Sequence, residues 1–525
     1  MELVYLWVEE YKNIKNQGFN FSPRFTCKYD KGKNELAVEK KDYVHILPDN
    51  INITVVVGAN GSGKSTLIQL IIGGLFQNNE NWRKIKNLLL VFEENDKEKI
   101  FTFSGEEKDH NYVSFSINNQ EVQNLYTDYT KKCKPHEFFK KNFHLLMDFS
   151  LGQQQIWNDY TDYKKYYALE PSRIYKSTGG AGIISKIEPT SFDSVMKVNV
   201  IYFYHFIYKN NLQNLLDIFK LPTFEKIQYI SASAKGKKIK SETFKELKDN
   251  NFEIFGIKFK DIAKWENVTD NIYKYFENDI DIISLKIDDL SKLEMLLIFS
   301  NIEMVSNDLY FWNLSTGQQL LISYMGIIVR THLKLIEKSK KQTFSIFIDE
   351  IETSLHPNWQ KKSLFFIIKF LEHTKINTSF SNINFIINTH SPFILSDIPS
   401  QNIIFLDKDE KGNCKNVSKE VNIETFGANI HTLLSHGFFM KDGLMGEFAK
   451  NKINEVIDYL NGKNSPIKDD DEAQRYIHII GEPIVKRQLQ RMLDSKKLDK
   501  MKEIDTLKNQ IESLKNRLDI LVQND

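Results

Sequence analysis

The segment Gly58-Ala59-Asn60-Gly61-Ser62-Gly63-Lys64-Ser65-Thr66 gathers glycines, hydroxyls and a lysine into one short stretch. Glycines let a backbone wrap an anion closely, so that its N–H groups and the start of a following helix point at the charge. The spacing is G-x-x-x-x-G-K-[ST], a phosphate-binding pattern. In it Lys64 reaches toward β- and γ-phosphates and Ser65 is placed to ligate Mg²⁺. Asn60, Ser62 and Thr66 complete the binding loop. A second group is Asp349-Glu350, which ends the apolar run Phe344-Ser-Ile-Phe-Ile348. At the end of a buried strand Asp349 can hold Mg²⁺ through water, and Glu350 can polarise an attacking water. Such an acidic pair is common in isolation; here it follows a phosphate loop. A third group is His390, at the tip of Asn384-Phe-Ile-Ile-Asn-Thr-His390-Ser-Pro392, where an imidazole can meet a γ-phosphate. The fourth is Asn313-Leu-Ser315-Thr-Gly317-Gln318-Gln319, before Leu320-Leu-Ile322. Serine, glycine and a helix start make another anion site, although alone this is only a helix cap.

These groups need a sheet and helices to hold them. Ile51–Val57 reads as a strand leading into the loop, and Leu67, Ile68, Ile71, Ile72 and Leu75 share one face of a helix leaving it. Residues 1–57 read as strands. Leu88–Glu93, Ile100–Ser104 and Tyr112–Ile117 are three strand candidates split by Asn95-Asp96 and Gly105, which predicts an antiparallel subsheet. From about 300 to 410, strands alternate with helices and predict a parallel sheet shared with the loop. Residues 120–300 read as mixed and mostly helical. The expected class is α/β. Its segments are 1–120 (first part of a head, with the loop), 121–300 (a mostly helical insertion), 301–415 (second part of the head) and 416–525 (a helical C-terminal region).

Composition narrows the function. Lys+Arg is 70 and Asp+Glu is 69, so global charge gives no reason to expect nucleic-acid binding. The basic loop Lys235, Lys237, Lys238, Lys240 reads first as a solvated loop and second as a nucleic-acid contact. Cys27, Cys133 and Cys414 are far apart and form no C-x-x-C pair, which fits a reducing compartment and indicates neither zinc site nor disulfide framework. The N-terminus does not read as a signal peptide, and runs such as Val198 to Tyr208 are too short to span a bilayer, so a cytoplasmic location is expected.

Phosphate loop, Leu314-Ser-Thr-Gly-Gln318, hydrophobic-Asp349-Glu350 and Thr389-His-Ser-Pro392, in this order, resemble the ABC-type ATPases of the structural-maintenance-of-chromosomes and RecF-like kind. The phrase Asp349-Glu-Ile-Glu-Thr-Ser-Leu-His-Pro357 is similar to the branch that includes the overcoming-lysogenisation-defect ATPases. That branch usually has proline where this chain has Ile351. Thr425-Phe-Gly-Ala-Asn-Ile-His-Thr-Leu433, with Gly443-Leu-Met-Gly-Glu447, resembles ATPases of bacterial defence operons, the Septu type that is paired with an HNH nuclease.

The resemblance implies an ABC-type head with ATP and Mg²⁺ as ligands. It implies a head-to-tail dimer in which Ser315, Gly317 and Gln318 of one subunit act in trans on the γ-phosphate, while Lys64, Ser65, Asp349, Glu350 and His390 act in cis. It also implies a separate effector, a nuclease, in anti-phage defence. One alternative is an ATPase fused to its own nuclease, which would need an acidic constellation. Asp407-Lys-Asp409 and Asp469-Asp-Asp471 read as loops and do not supply it. The other alternative, a DNA-repair or chromosome-organising ATPase, would need long arms or a basic groove. The Q-loop glutamine has one candidate, Gln153-Gln154-Gln155, which also reads as a polar surface run. Ile504, Leu507, Ile511, Leu514, Leu518 and Leu521 form an a/d seam, which suits either packing on the chain's own body or self-association.

Overall fold

A computed structural model of the chain describes residues 2–44, 46–71, 85–94, 97–104, 114–117, 120–122, 143–149, 192–231, 248–249, 253–254, 257–261, 280–287, 289–290, 301–306, 309–336, 343–352, 355–437 and 445–523. The chain forms two compact units, Met1–Phe439 and Met440–Asp525.

The first unit is mixed α/β, built on a ten-stranded sheet. In chain order its strands are β1 (Glu2–Tyr11), β2 (Ile14–Asn20), β3 (Ile51–Gly58), β4 (Asn87–Glu94), β5 (Lys97–Ser104), β6 (Phe143–Phe149), β7 (Thr343–Asp349), β8 (Ile383–Asn388), β9 (Ile403–Lys408) and β10 (Cys414–Asn416). Their spatial order is β6-β7-β8-β3-β9-β10-β2-β1-β4-β5. The β6, β7, β8, β3 and β9 neighbours are parallel. The β2–β1, β1–β4 and β4–β5 neighbours are antiparallel. The parallel strands are near-continuous apolar runs because both of their faces are covered. On one face Ile53, Val55 and Val57 pack with Tyr204 of α2 (Phe192–Lys209), Met325 of α3 (Thr316–Ile336) and Phe370 of α4 (Pro357–Thr374). On the other, Val56, Phe347 and Ile386 pack with Leu67 and Ile68 of α1 (Lys64–Gln69).

Three findings differ from the sequence reading. The β4–β5 hairpin forms as expected, but Ser114–Ile117 leaves it and pairs in parallel with Glu35–Lys40 in a separate four-stranded sheet. Residues 143–149, inside the stretch read as mostly helical, form β6 beside β7. A further four-stranded sheet joins Ile280–Asp281, Lys226–Ser231, Asn301–Ser306 and Leu309–Tyr310. Ile72 and Leu75, the glutamines 153–155 and the lysines 235–240 lie outside the described residues.

The second unit holds α5 (Glu447–Leu460), α6 (Asp470–Ile479) and α7 (Pro483–Gln523) around Val456, Ile467, Ala473, Ile477, Leu489 and Leu493. The acidic run 469–471, read as a loop, begins a helix. Asp469 caps α6 by accepting from the Glu472 N–H at 2.7 Å, and Asp470 and Asp471 fill the first turn, where the helix dipole favours them. Among the described residues no helix is long and apolar enough to cross a membrane.

Candidate functional site

The parallel register brings four strand ends level. Val56 of β3 pairs with Asn388 of β8, Asn388 with Asp349 of β7, and Gly58 with Leu406 of β9. Loops at the carboxyl ends of parallel strands are where such sheets bind ligands. Here those loops are 58–63, Glu350–Glu352 and Thr389–Ser391.

The glycine-rich loop is built against β9. A Cβ on Gly58 would lie 2.0 Å from the Leu406 carbonyl oxygen, so only glycine fits. Gly63 has φ 107° and starts α1 without a side-chain cap, which leaves N–H groups of the first turn facing outward from the helix. The Ser62 hydroxyl is buried and has no hydrogen-bond partner among the described residues. Lys64 is buried, and its Nζ donates to the carbonyls of Gly58 at 2.9 Å and Ala59 at 3.1 Å. Burial lowers its pKa, and Glu350, Asp349 and Glu352 oppose that shift. Ser65 and Thr66 are half-buried in the first turn of α1. A further cation stands at the loop: a Cβ on Gly61 would be 3.0 Å from the Lys408 Nζ.

Asp349 is buried, and its Oδ1 accepts from the Asn388 amide. Glu350 sits in the left-handed region at φ 54°, and its N–H donates to the Asn388 carbonyl at 2.8 Å. That conformation costs a non-glycine residue roughly 1–2 kcal/mol; strain of this kind clusters at functional sites. Ile351 is fully buried in the core. Glu352, which sequence reasoning missed, folds back onto the neighbouring loop. Its Oε2 accepts the Thr389 hydroxyl at 2.6 Å and its Oε1 accepts the His390 N–H. Burial raises the Glu352 pKa, partly offset by these bonds. His390 is half-buried; burial first, then Lys64, lowers its pKa, with Glu350 opposing. The Ser391 hydroxyl donates to Gln360 of α4 at 2.9 Å. Lys64, Asp349, Glu350, Glu352 and His390 therefore share one electrostatic neighbourhood.

Ser315, Gly317 and Gln318 form a second group. The Ser315 hydroxyl donates to the Gln318 Oε1 at 2.8 Å, and the Gln318 N–H donates back to Ser315 at 3.4 Å. The pair is a capping box that starts α3. Ser315 and Thr316 are exposed, Gly317 is buried, and beside them Trp312 is exposed and stacks on Tyr310 at 4.6 Å. No hydrogen bond joins this group to the glycine-rich loop among the described residues. Asp407 and Asp409 serve local turns: Asp407 accepts from the Lys408 N–H, and Asp409 from those of Lys411 and Asn413. No group of three His, Cys, Asp or Glu among the described residues could hold a metal ion.

The chain is 24% identical over 385 residues to the Retron Vc95 probable ATPase of Vibrio cholerae serotype O1 biovar El Tor, across 68% of this chain and 69% of that protein. It is 38% identical over 101 residues to the Retron Ec83 probable ATPase of Escherichia coli, across 19% of this chain and 17% of that one. Both relatives are retron-associated probable ATPases. Among solved structures, UvrA2 from Deinococcus radiodurans aligns at 10% identity and TM-score 0.23, over 79% of this chain and 36% of that one; that score is too low to bear on the fold. A family model for the AAA ATPase domain matches residues 40–395, which takes in the loop, the carboxylates and His390. The chain is an ATPase, and it belongs to the AAA ATPase domain family.

Proposed function

We propose that this ATPase binds Mg·ATP across the glycine-rich loop and the ends of β7 and β8. Two copies then arrange head to tail, and the cycle regulates a separate cytoplasmic effector, a nuclease such as the HNH type, in anti-phage defence. The observation that carries the ATP reading is the convergence of Lys64, Asp349, Glu350 and His390 at level strand ends. The site suits a phosphate: an uncapped helix start, a buried hydroxyl on Ser62 without a hydrogen-bond partner among the described residues, and a lysine held on backbone carbonyls. Gly58, Asn60, Gly61, Ser62, Gly63, Lys64, Ser65 and Thr66 cradle the phosphates. Ser65 and Asp349 hold the Mg²⁺, which when bound neutralises phosphate charge. Glu350 polarises the attacking water. His390, half-buried at the end of β8, stands where it can meet the γ-phosphate.

The trans arrangement is supported by the exposure of Ser315 and Thr316 and the exposed Trp312 beside them. The defence role is supported by the retron names of the relatives and by the resemblance of 425–433 to defence ATPases. In that segment Thr425 is buried against the Ile398 carbonyl while Phe426 stands exposed, an apolar foothold for a partner.

The test is a pair of variants. Lys64→Ala should lose ATP binding in a fluorescent-nucleotide titration. Glu350→Gln should bind ATP, fail to release phosphate, and accumulate an ATP-dependent dimer or larger assembly in sedimentation. Unchanged affinity in Lys64→Ala removes the loop assignment, and unchanged turnover in Glu350→Gln moves the catalytic role elsewhere.

A further inference from the structure

The last helix of the second unit ends in a long stretch that no other described residue of that unit covers. α7 has 41 residues, about 60 Å of helix. Its first half is anchored: Leu489 and Leu493 are buried with Val456 and Ile477. From Leu498 through Leu518 every side chain is exposed. That stretch carries the apolar residues Leu498, Met501, Ile504, Leu507, Ile511, Leu514 and Leu518, each half-exposed or more. A single helix surrounded by water is marginal, because most helical stability in proteins comes from packing an apolar face. This stretch therefore has a face built for a partner.

We propose that the partner is the same stretch of a second copy of this chain, in a parallel two-stranded coiled coil. The choice of residues points there. With Ile504 at position a, the seam places Ile504, Ile511 and Leu518 at a, and Leu507, Leu514 and Leu521 at d. β-Branched residues at a with leucine at d favour parallel dimers over other states. Charge sets the direction. The e positions are Lys508 and Lys515, and the g positions are Glu503, Gln510 and Arg517. Parallel strands bring Glu503 of each copy to Lys508 of the other, two attractive pairs per dimer. Antiparallel strands would set e against e, lysine against lysine. The area is adequate too. The five seam residues Ile504, Leu507, Ile511, Leu514 and Leu518 offer on the order of 100 Å² each, and with the stems of the flanking Glu503, Lys508 and Lys515 they approach the roughly 800 Å² per partner of a stable interface. The pairing does not involve the nucleotide site, so it joins two copies before ATP arrives.

The test uses the full chain, treated with apyrase to remove nucleotide. Sedimentation velocity at micromolar concentration should give twice the chain mass of 61.6 kDa. Leu507→Asp with Leu514→Asp should return it to a single chain that still binds nucleotide with wild-type affinity, because both positions are exposed within one chain and lie outside the glycine-rich loop. Direction is read by cross-linking in a Cys133→Ser background, where the two remaining cysteines, Cys27 and Cys414, are buried. Leu507→Cys, near one end of the seam, should form a disulfide-linked dimer on mild oxidation, at least tenfold faster than Asn509→Cys on the outer face; antiparallel strands would hold the two 507 positions about 16 Å apart along the helix. A wild-type chain that stays single without nucleotide overturns the proposal, including the case in which it pairs only with a helix of another protein. So does a dimer that survives the double Asp variant. Equal cross-linking at 507 and 509 overturns the parallel seam.

Discussion

Removing the Glu352 carboxylate should cost turnover without costing stability. Glu352 ties the end of β8 in place through the Thr389 hydroxyl and the His390 N–H, and so sets where His390 stands relative to Lys64. Its pKa is raised, chiefly by burial. The sign then follows. A carboxyl whose folded pKa lies above its unfolded one stabilises the fold below the unfolded value. That contribution is lost as pH rises through the folded value. In the fold the charged form is therefore the less favourable one, despite its two bonds. Glu352→Gln keeps the shape and one acceptor, and turns an amide N–H₂ toward the other donor. One orphaned donor costs about 1–3 kcal/mol, against relief of the buried charge, so the net change should lie within about 1 kcal/mol. Catalysis has no such compensation. A misplacement of about 1 Å in a reacting group costs on the order of 10²-fold in rate, so kcat should fall 10- to 100-fold. ATP affinity should change less than about threefold, because Lys64 and the glycine-rich loop keep their own bonds. Steady-state phosphate release, nucleotide titration and a melt on one preparation decide it. A kcat within twofold of wild type refutes the positioning role. A fall in kcat matched by a fall in Tm of several degrees reduces Glu352 to a structural residue.

Gly58→Ala should weaken ATP binding at least tenfold, because a Cβ 2.0 Å from the Leu406 oxygen forces the loop off β9; a nucleotide titration with wild-type affinity would show that the loop yields. Mixing Ser315→Arg with Lys64→Ala should restore ATPase at one site per mixed dimer, and no rescue with heterodimers shown to form argues against a shared site. His332, buried between Phe206 and Phe380, has its pKa lowered to about 4 by burial. The unfolded state then binds more protons between about pH 6.5 and 4, and stability falls across that window by roughly 3 kcal/mol. Denaturant midpoints of His332→Phe should lack that slope, and an unchanged slope assigns it to other groups.

The chemistry was legible where it is local. Glycine spacing, a lysine and strand-end carboxylates announce themselves because each owes its position to its immediate neighbours. The residues that position them were not legible. Glu352 stands in the quoted phrase, yet only the turn after β7 brings its carboxylate to Thr389 and His390. Asn388 stands in the segment quoted for His390, and only the β7–β8 register gives it Asp349 as a partner. Phe143–Phe149 has five apolar residues in seven, broken by His144 and Asp148, a length at which periodicity does not separate a buried strand from a helix. Ser114–Ile117 has strand character, but its partner, Glu35–Lys40, lies far back in the chain. Asp469 could have been found: Asp-x-x-Glu472 is a helix-start pattern, and Glu472 indeed reaches back to the Lys468 N–H.

The central strand of the sheet has a consequence for how the chain is made. β3 leaves the ribosome long before both strands that flank it, which come from the far end of the unit. The Asn50 amide bonds the Phe380 carbonyl, 330 residues away, and the Asn402 amide bonds the Ile53 carbonyl, 349 residues away. At roughly 5–20 residues per second, the phosphate-loop strand waits about 20–70 s for its neighbours. During that interval an apolar strand with two open edges is exposed, the kind of segment that aggregates or recruits chaperones. Nucleotide binding thus appears late in synthesis, and a chain truncated before β8 and β9 has a loop with nothing to hold it.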